Sequence, residues 1–188
     1  MERKEPKRKL LDAAVDHLSR TGVTGRSLRQ LAAELGTSHR MLIYHFGSME
    51  GLLVEIVREV EARQRAALAD LDDTLDPAEL AKAFWRRFTD PALYPNERLF
   101  FELYGQALQG RPGTEALLPE VVTAWLAPLA ALARSHGLDE RTALAHARLG
   151  LAATRGLLLD LLATGDLAAV NDAMDLFVDM YVAGLRRH

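Results

Sequence analysis

SLRQLAAELGTSHRMLIYHFGSMEGLL, residues 27–53, carries two short helices and the tight turn between them. Ser27 offers a hydroxyl to cap a helix start, and Gln30, three residues on, completes a capping box. Leu28, Leu31, Ala32 and Leu35 follow at three- and four-residue spacing and form one buried stripe. Gly36 breaks that helix, and Thr37-Ser38 supplies a fresh cap within two residues, so a third helix is predicted from His39 to Phe46. Helices joined by so short a turn must cross steeply. A capped helix, a glycine turn and a second helix with a polar N-terminal end, Thr37-Ser38-His39-Arg40, are the parts of a helix-turn-helix. Periodicity alone is equally consistent with a plain helical hairpin.

Upstream, Leu10, Leu11, Ala14, Val15 and Leu18 line one face of a helix predicted from about Lys7 to Arg20, ended by Thr21-Gly22. Downstream, Gly47-Ser48 stops and restarts the chain, and Leu52, Leu53, Ile56, Val57 and Val60 mark a fourth helix to about Leu71. A linker is expected at Asp70–Asp76. Five more helices are expected near 77–90, 96–109, 114–135, 139–164 and 167–187, separated by Pro91/Pro95, Gly110-Arg111-Pro112-Gly113, His136-Gly137 and Thr164-Gly165-Asp166. No β-branched alternation between hairpin signals interrupts them, so the expected fold is all-α. The expected division is a helix-turn-helix head, residues 1–50, and a helical body, residues 51–188.

Of the 188 residues, 49% are hydrophobic and 26% charged, an ordinary balance for a chain that folds around a core. With no cysteine, disulfides and thiolate metal sites are excluded. The basic stretch Glu2–Lys9 is not followed by a cleavable apolar segment, and no run approaches the roughly 20 apolar residues of a membrane span, so a cytoplasmic protein with no membrane partner is expected. The net charge of −3 conceals an asymmetry: residues 1–49 hold nine lysines and arginines against five acids, a net +4, which leaves −7 on the rest. A basic head on an acidic body brings one end of the molecule to phosphate. Glu2–Lys9, taken alone, is as consistent with a solvated tail.

In a helix-turn-helix the second helix enters the major groove by its N-terminal end, so His39 and Arg40 are expected to face bases and Ser38 a phosphate. The 27–53 string strongly resembles the DNA-binding signature of TetR-family regulators. That resemblance is close over about 45 residues, from the first helix into the fourth. Beyond it only length, helix count and the segment Gly156-Leu-Leu-Leu-Asp-Leu-Leu-Ala-Thr-Gly-Asp166 are similar. By position, the resemblance implies base reading by Arg29, His39, Arg40 and Met41, and phosphate or groove contacts by Tyr44 and His45. With Ser27, Thr37 and Ser38 these form the candidate set for double-stranded operator DNA. Met41 is also readable as core, while Leu42 and Phe46 are the inward pair. Two positions depart from the family: Ile43 stands where a tyrosine commonly touches phosphate, and Met49 where a lysine does. Both departures are expected to weaken sequence-independent affinity, and Met49→Lys to tighten it.

Two-fold DNA sites call for a homodimer, and the last two helices are the candidate seam. Leu151, Thr154, Leu158, Leu161 and Leu162, with Ala152, Ala153 and Gly156, make one nearly apolar all round; Met174, Phe177, Val178, Tyr181 and Val182 give the next a broad stripe. Both helices are alternatively readable as burying themselves within one chain. Aromatics gather in the middle helices, and Phe84, Trp85, Phe88, Phe101, Tyr104 and Trp125 are the candidate lining of a ligand cavity, each also readable as core. The resemblance implies a small-molecule effector that shifts the heads, and the scarcity of charge near these aromatics favours an apolar or aromatic one. A repressor is expected, with no cofactor and no metal.

An enzyme would need an acid, base or metal constellation, but His17, His39, His45, His136, His146 and His188 show no i,i+4 pairing, and no phosphate loop or nucleophile motif is present. The alternative to a regulator is a helical ligand- or protein-binding module whose head has lost useful DNA affinity through Ile43 and Met49.

Overall fold

The structure, a computed structural model, describes residues 4–71, 75–115 and 117–185. Among these the chain forms nine α-helices and no strand: α1 Lys4–Thr21, α2 Leu28–Glu34, α3 His39–Phe46, α4 Met49–Ala69, α5 Pro77–Phe88, α6 Tyr94–Leu108, α7 Leu117–Ser135, α8 Glu140–Thr164 and α9 Leu167–Leu185. A 3-10 turn, Pro91–Leu93, precedes α6. The fold is therefore all-α, with a helix-turn-helix ahead of a helical body. The middle of the expected 70–76 linker, residues 72–74, and the end of the last expected helix, residues 186–187, lie outside the described residues.

Two compact units result: residues up to Arg63 together with Pro95–Pro119, and Gln64–Tyr94 together with residues from Glu120 on. The first unit is thus larger than the segment 1–50, because α4 to Arg63 and most of α6 belong to it. Its core is built by the expected stripes: Leu11, Ala14, Val15 and Leu18 from α1, Leu28, Leu31 and Ala32 from α2, Leu42 and Phe46 from α3, and Leu52, Leu53 and Ile56 from α4 are all buried.

The turn between α2 and α3 explains itself bond by bond. Gly36 takes φ +65°, a left-handed conformation that costs glycine nothing. Its N–H reaches the Ala33 carbonyl at 3.2 Å, and the Thr37 N–H reaches that of Ala32 at 2.9 Å, the paired bonds of a Schellman ending. Two residues later Ser38 caps α3. Gly47, at φ +76°, ends α3 in turn and donates to the Ile43 carbonyl at 2.9 Å.

Pro95, expected as a separator, lies within the first turn of α6, where its missing N–H breaks no bond. One described helix, α7, is long and apolar enough to cross a membrane by length and composition, and it carries Glu120 and Arg134. Val121, Trp125, Ala130 and Ala133 of this helix are buried in the protein.

In the second unit Ala130, Ala133, Leu138, Ala143, Ala147 and Leu185 form a core cluster joined by Leu126, Leu129 and Tyr181. Trp85 ties α5 to α9, its indole N–H donating to Asn171 Oδ1 at 2.8 Å. Lys82 adds an ion pair to Asp175 at 3.1 Å.

Candidate nucleic-acid interface

The outward surface of α2 and α3 follows from what their starts and their inward residues fix. At Ser27 the capping box is complete: the Gln30 N–H donates to Ser27 Oγ at 3.3 Å and the Ser27 N–H to Gln30 Oε1 at 2.9 Å. The Ser27 hydroxyl also donates to Gln30 Oε1 at 2.8 Å, so both of its hydrogen-bonding roles are taken inside the protein. In the protein alone Ser27 serves as the cap of α2. Ser38 Oγ accepts from the Met41 N–H at 3.2 Å, which leaves its O–H to donate outward.

Arg29 on α2 and Ser38, His39, Arg40, Met41, Ile43 and Tyr44 around α3 are exposed, while Thr37 and His45 are half-buried. Met41, at 38% exposure, is thus not core. Leu42 and Phe46, at 0% and 8%, are the inward pair. The His45 ring lies edge-on to Tyr44, 4.9 Å between centroids, and its Nε2 is buried without a hydrogen-bond partner. Only the remainder of that ring is presented to solvent.

Met49 is 8% exposed and packs with the head's core. It is therefore not an outward position missing its lysine. A lysine there would carry its ammonium toward apolar neighbours, and the expected gain in affinity from Met49→Lys does not follow.

Long-range polar contacts that sequence spacing cannot reveal brace this surface from behind. His17 of α1 meets Glu34 of α2 at 2.7 Å, and Arg26, in the connecting loop, pairs with the same carboxylate. From α6, the Glu102 carboxylate accepts from the Val23 N–H at 3.2 Å and from Thr24 Oγ1 at 3.0 Å, satisfying the turn between α1 and α2. Gln106 donates to Glu102 at 3.2 Å and in turn accepts from Arg111, which also reaches Glu50 at 3.4 Å, in the first turn of α4. Glu50's own backbone N–H, with help from Ser48 and Arg111, holds its carboxyl below the usual range. The Lys7 ammonium of α1 sits 2.8 Å from Glu55 of α4 and 5.6 Å from the ring centroid of Phe46 of α3. That ammonium lowers the Glu55 carboxyl.

The six aromatics expected to line a cavity fall into both compact units: Phe101 and Tyr104 in the first, Phe84, Trp85, Phe88 and Trp125 in the second. Phe84 packs edge-on against Phe88 at 4.6 Å and lies 5.9 Å from Trp125, over which the Arg65 guanidinium sits at 5.8 Å. The indole N–H of Trp85 is bonded to Asn171.

The expected dimer residues are distributed differently from the expectation. Leu151, Leu158, Leu161 and Val178 are buried inside the chain, and Thr154, Leu162, Phe177 and Tyr181 are half-buried. The Tyr181 hydroxyl donates to the His146 carbonyl at 3.1 Å, holding α9 to α8, and burial raises its pKa. The bare apolar faces hold Ala152 and Gly156, named with the seam, together with Leu159 on α8, and Ala173, Leu176 and Met180 on α9. Leu159, Leu176 and Met180 are 50%, 62% and 59% exposed. A helix apolar on most sides offers two inward faces, and periodicity does not choose between them.

Comparison with known proteins agrees with the all-helical fold and its helix-turn-helix. Residues 10–56 match the family described as "Bacterial regulatory proteins, tetR family". The HTH-type transcriptional repressor NicS of Pseudomonas putida is 32% identical over 83 residues, covering 40% of this chain and 38% of that one. The HTH-type transcriptional regulator LmrA of Bacillus subtilis is 33% identical over 87 residues, covering 45% and 46%. The matched stretch thus spans less than half the length of either relative. Over the whole fold, a transcriptional regulator from Rhodococcus sp. superposes with a TM-score of 0.79 at 21% identity, covering 95% of this chain and 96% of its own. The multidrug binding protein EbrR, solved with imidazole, gives 0.68 at 24% identity, over 94% and 89%. BioQ, solved with its double-stranded DNA operator, gives 0.65 at 21% identity, over 97% and 98%.

Proposed function

We propose that this chain, whose residues 10–56 match the tetR family of bacterial regulatory proteins, is a homodimeric, DNA-binding transcriptional regulator acting in the cytoplasm, a repressor released from its operator by a small, mainly apolar effector. One observation carries the DNA-binding part. Residues 1–49 carry a net charge of +4, and within them α3 presents His39, Arg40, Met41 and Tyr44 outward from a capped N-terminus, with Arg29 of α2 exposed beside it. Cations on this surface neutralise phosphates, and their counterion release makes affinity fall steeply with salt. Arg29 and Arg40 are the side chains suited to guanine edges, His39 and Tyr44 to further base or groove contacts, and Thr37, Ser38 and His45 to the backbone.

The dimer reading is supported by the bare faces of α8 and α9. Leu159, Leu176 and Met180, spaced with alanines and a glycine at three and four residues, are what one four-helix seam would bury. The repressor role is supported by the relative named as a repressor, NicS. The effector reading is supported by the aromatic packing of Phe84, Phe88 and Trp125 in the body and by EbrR, a multidrug binding protein of the same fold. An effector releases DNA only if it binds the DNA-free arrangement better, and DNA must then weaken the effector by the same factor.

The test is selection of genomic DNA fragments by the purified protein at near-physiological salt. An enriched sequence with two-fold symmetry is the expected result, and the neighbouring genes would narrow the effector. No enrichment by a folded, dimeric protein would overturn the reading in favour of a helical partner-binding module.

A further inference from the structure

Three of the four residues from Met41 to Tyr44 present apolar surface to solvent on an eight-residue helix. Met41 is 38% exposed, Ile43 42% and Tyr44 64%. Single exposed hydrophobics are ordinary on any protein surface. A run of them beside exposed His39 and Arg40, on the face turned away from the core, is not. Successive residues turn by about 100° around a helix. With Leu42 and Phe46 inward, Arg40 and Tyr44 point most directly away from the core, and Met41 and Ile43 flank them on either side. The surface is a cation and a phenol bordered by two hydrocarbon groups.

A phosphate backbone has no partner for a thioether or a branched alkyl group. The major groove has one: the 5-methyl group of thymine, the apolar feature among the base edges. We infer that Met41 and Ile43 read thymine methyl groups on either side of the position that Arg40 addresses. Each half-site therefore carries thymine at those flanking positions. The inference rests on the reading of α3 as the helix that enters the groove. It also gives Ile43 a role of its own. In place of a hydroxyl for phosphate, it supplies sequence preference.

The test uses the full chain and the selected duplex, synthesised once with thymine and once with deoxyuridine at the flanking positions. That replacement removes the methyl group and leaves every base-edge donor and acceptor in place. Affinities are compared by fluorescence anisotropy at one salt concentration. For the wild-type protein, Kd is expected to rise about fourfold for each methyl lost. For the double variant Met41→Ala/Ile43→Ala the thymine and deoxyuridine duplexes are expected to bind alike. Both positions are exposed and alanine favours helix, so the variant is expected to fold, which circular dichroism checks. Equal wild-type affinity for the two duplexes overturns the inference without reference to any variant, and so does an undiminished preference in the double variant. Salt-steep binding without sequence enrichment overturns it while leaving DNA binding in place. Absence of binding to any duplex overturns both.

Discussion

The α2–α3 pair and the α8–α9 pair each bury one side and leave another bare, but the bare sides differ in kind. On α3, eight residues long, only Leu42 and Phe46 are buried, and the remaining surface is mixed: a cation, a histidine, a phenol and two hydrocarbons. On α8 and α9, 25 and 19 residues long, the bare side is a repeat of small and large apolar groups. On α3 the pair Leu42 and Phe46, four residues apart, turns inward and leaves Met41 and Ile43 on the bare side. A helix with apolar residues on most sides has several ways to turn inward, and its partners in the fold decide among them. The first surface suits a polar, grooved partner, and the second a copy of itself.

That comparison breaks at once if the buried residues are misassigned. Leu42→Ala in the head and Leu158→Ala in the body are each expected to cost about 2–5 kcal/mol, because both side chains are fully enclosed. Denaturant unfolding of full-length variants checks this. A loss under 1 kcal/mol at either site would place that residue on the bare face instead.

Next in size is the seam. Leu176→Asp/Met180→Asp is expected to convert a sedimenting dimer to a monomer with its helical content intact, since each buried apolar side chain is worth about 1.5–3 kcal/mol. A dimer that survives this change would put the seam elsewhere.

A smaller effect concerns the brace behind the reading surface. Glu102→Ala leaves the Val23 N–H and Thr24 hydroxyl without their acceptor, at an expected cost of about 1–3 kcal/mol. Hydrogen exchange is expected to rise first at the turn between α1 and α2, sharpening the view that α6 holds the head in shape.

The smallest expected effect is in the pair of Lys7 with Glu55, both partly solvated, worth under about 1 kcal/mol. Lys7 lowers the folded-state pKa of Glu55, so the pair's contribution is complete at neutral pH and disappears as pH falls through that lowered value. The stability gap between wild type and Lys7→Ala is expected to close in acid.

Most of the fold was legible because caps and glycines are local devices. Ser27 with Gln30, Gly36 with Thr37-Ser38, and Gly47 each fix a helix end within a few residues of itself. The outward positions Arg29, His39, Arg40 and Tyr44 were legible for the same reason, as residues left over once the stripe of Leu42 and Phe46 is turned inward. Met49 was not, since only the packing of α4 in the head shows that its side chain is enclosed. Nor were Glu102, Arg111 and Asn171, whose partners lie 79, 61 and 86 residues away along the chain. The choice of α8 face was beyond periodicity because Leu158 and Leu159 carry the same side chain, one buried at 2% exposure and the other bare at 50%.

The most direct test of the central claim, that α2 and α3 form a DNA-reading surface, is the affinity of wild type and Arg40→Ala for the selected duplex across a series of salt concentrations. Wild-type affinity is predicted to fall linearly in log–log form, with a slope of about −0.9 for each phosphate neutralised, and Arg40→Ala to bind more weakly at every salt concentration and with less sequence preference. Affinity indifferent to both salt and Arg40 would contradict the account.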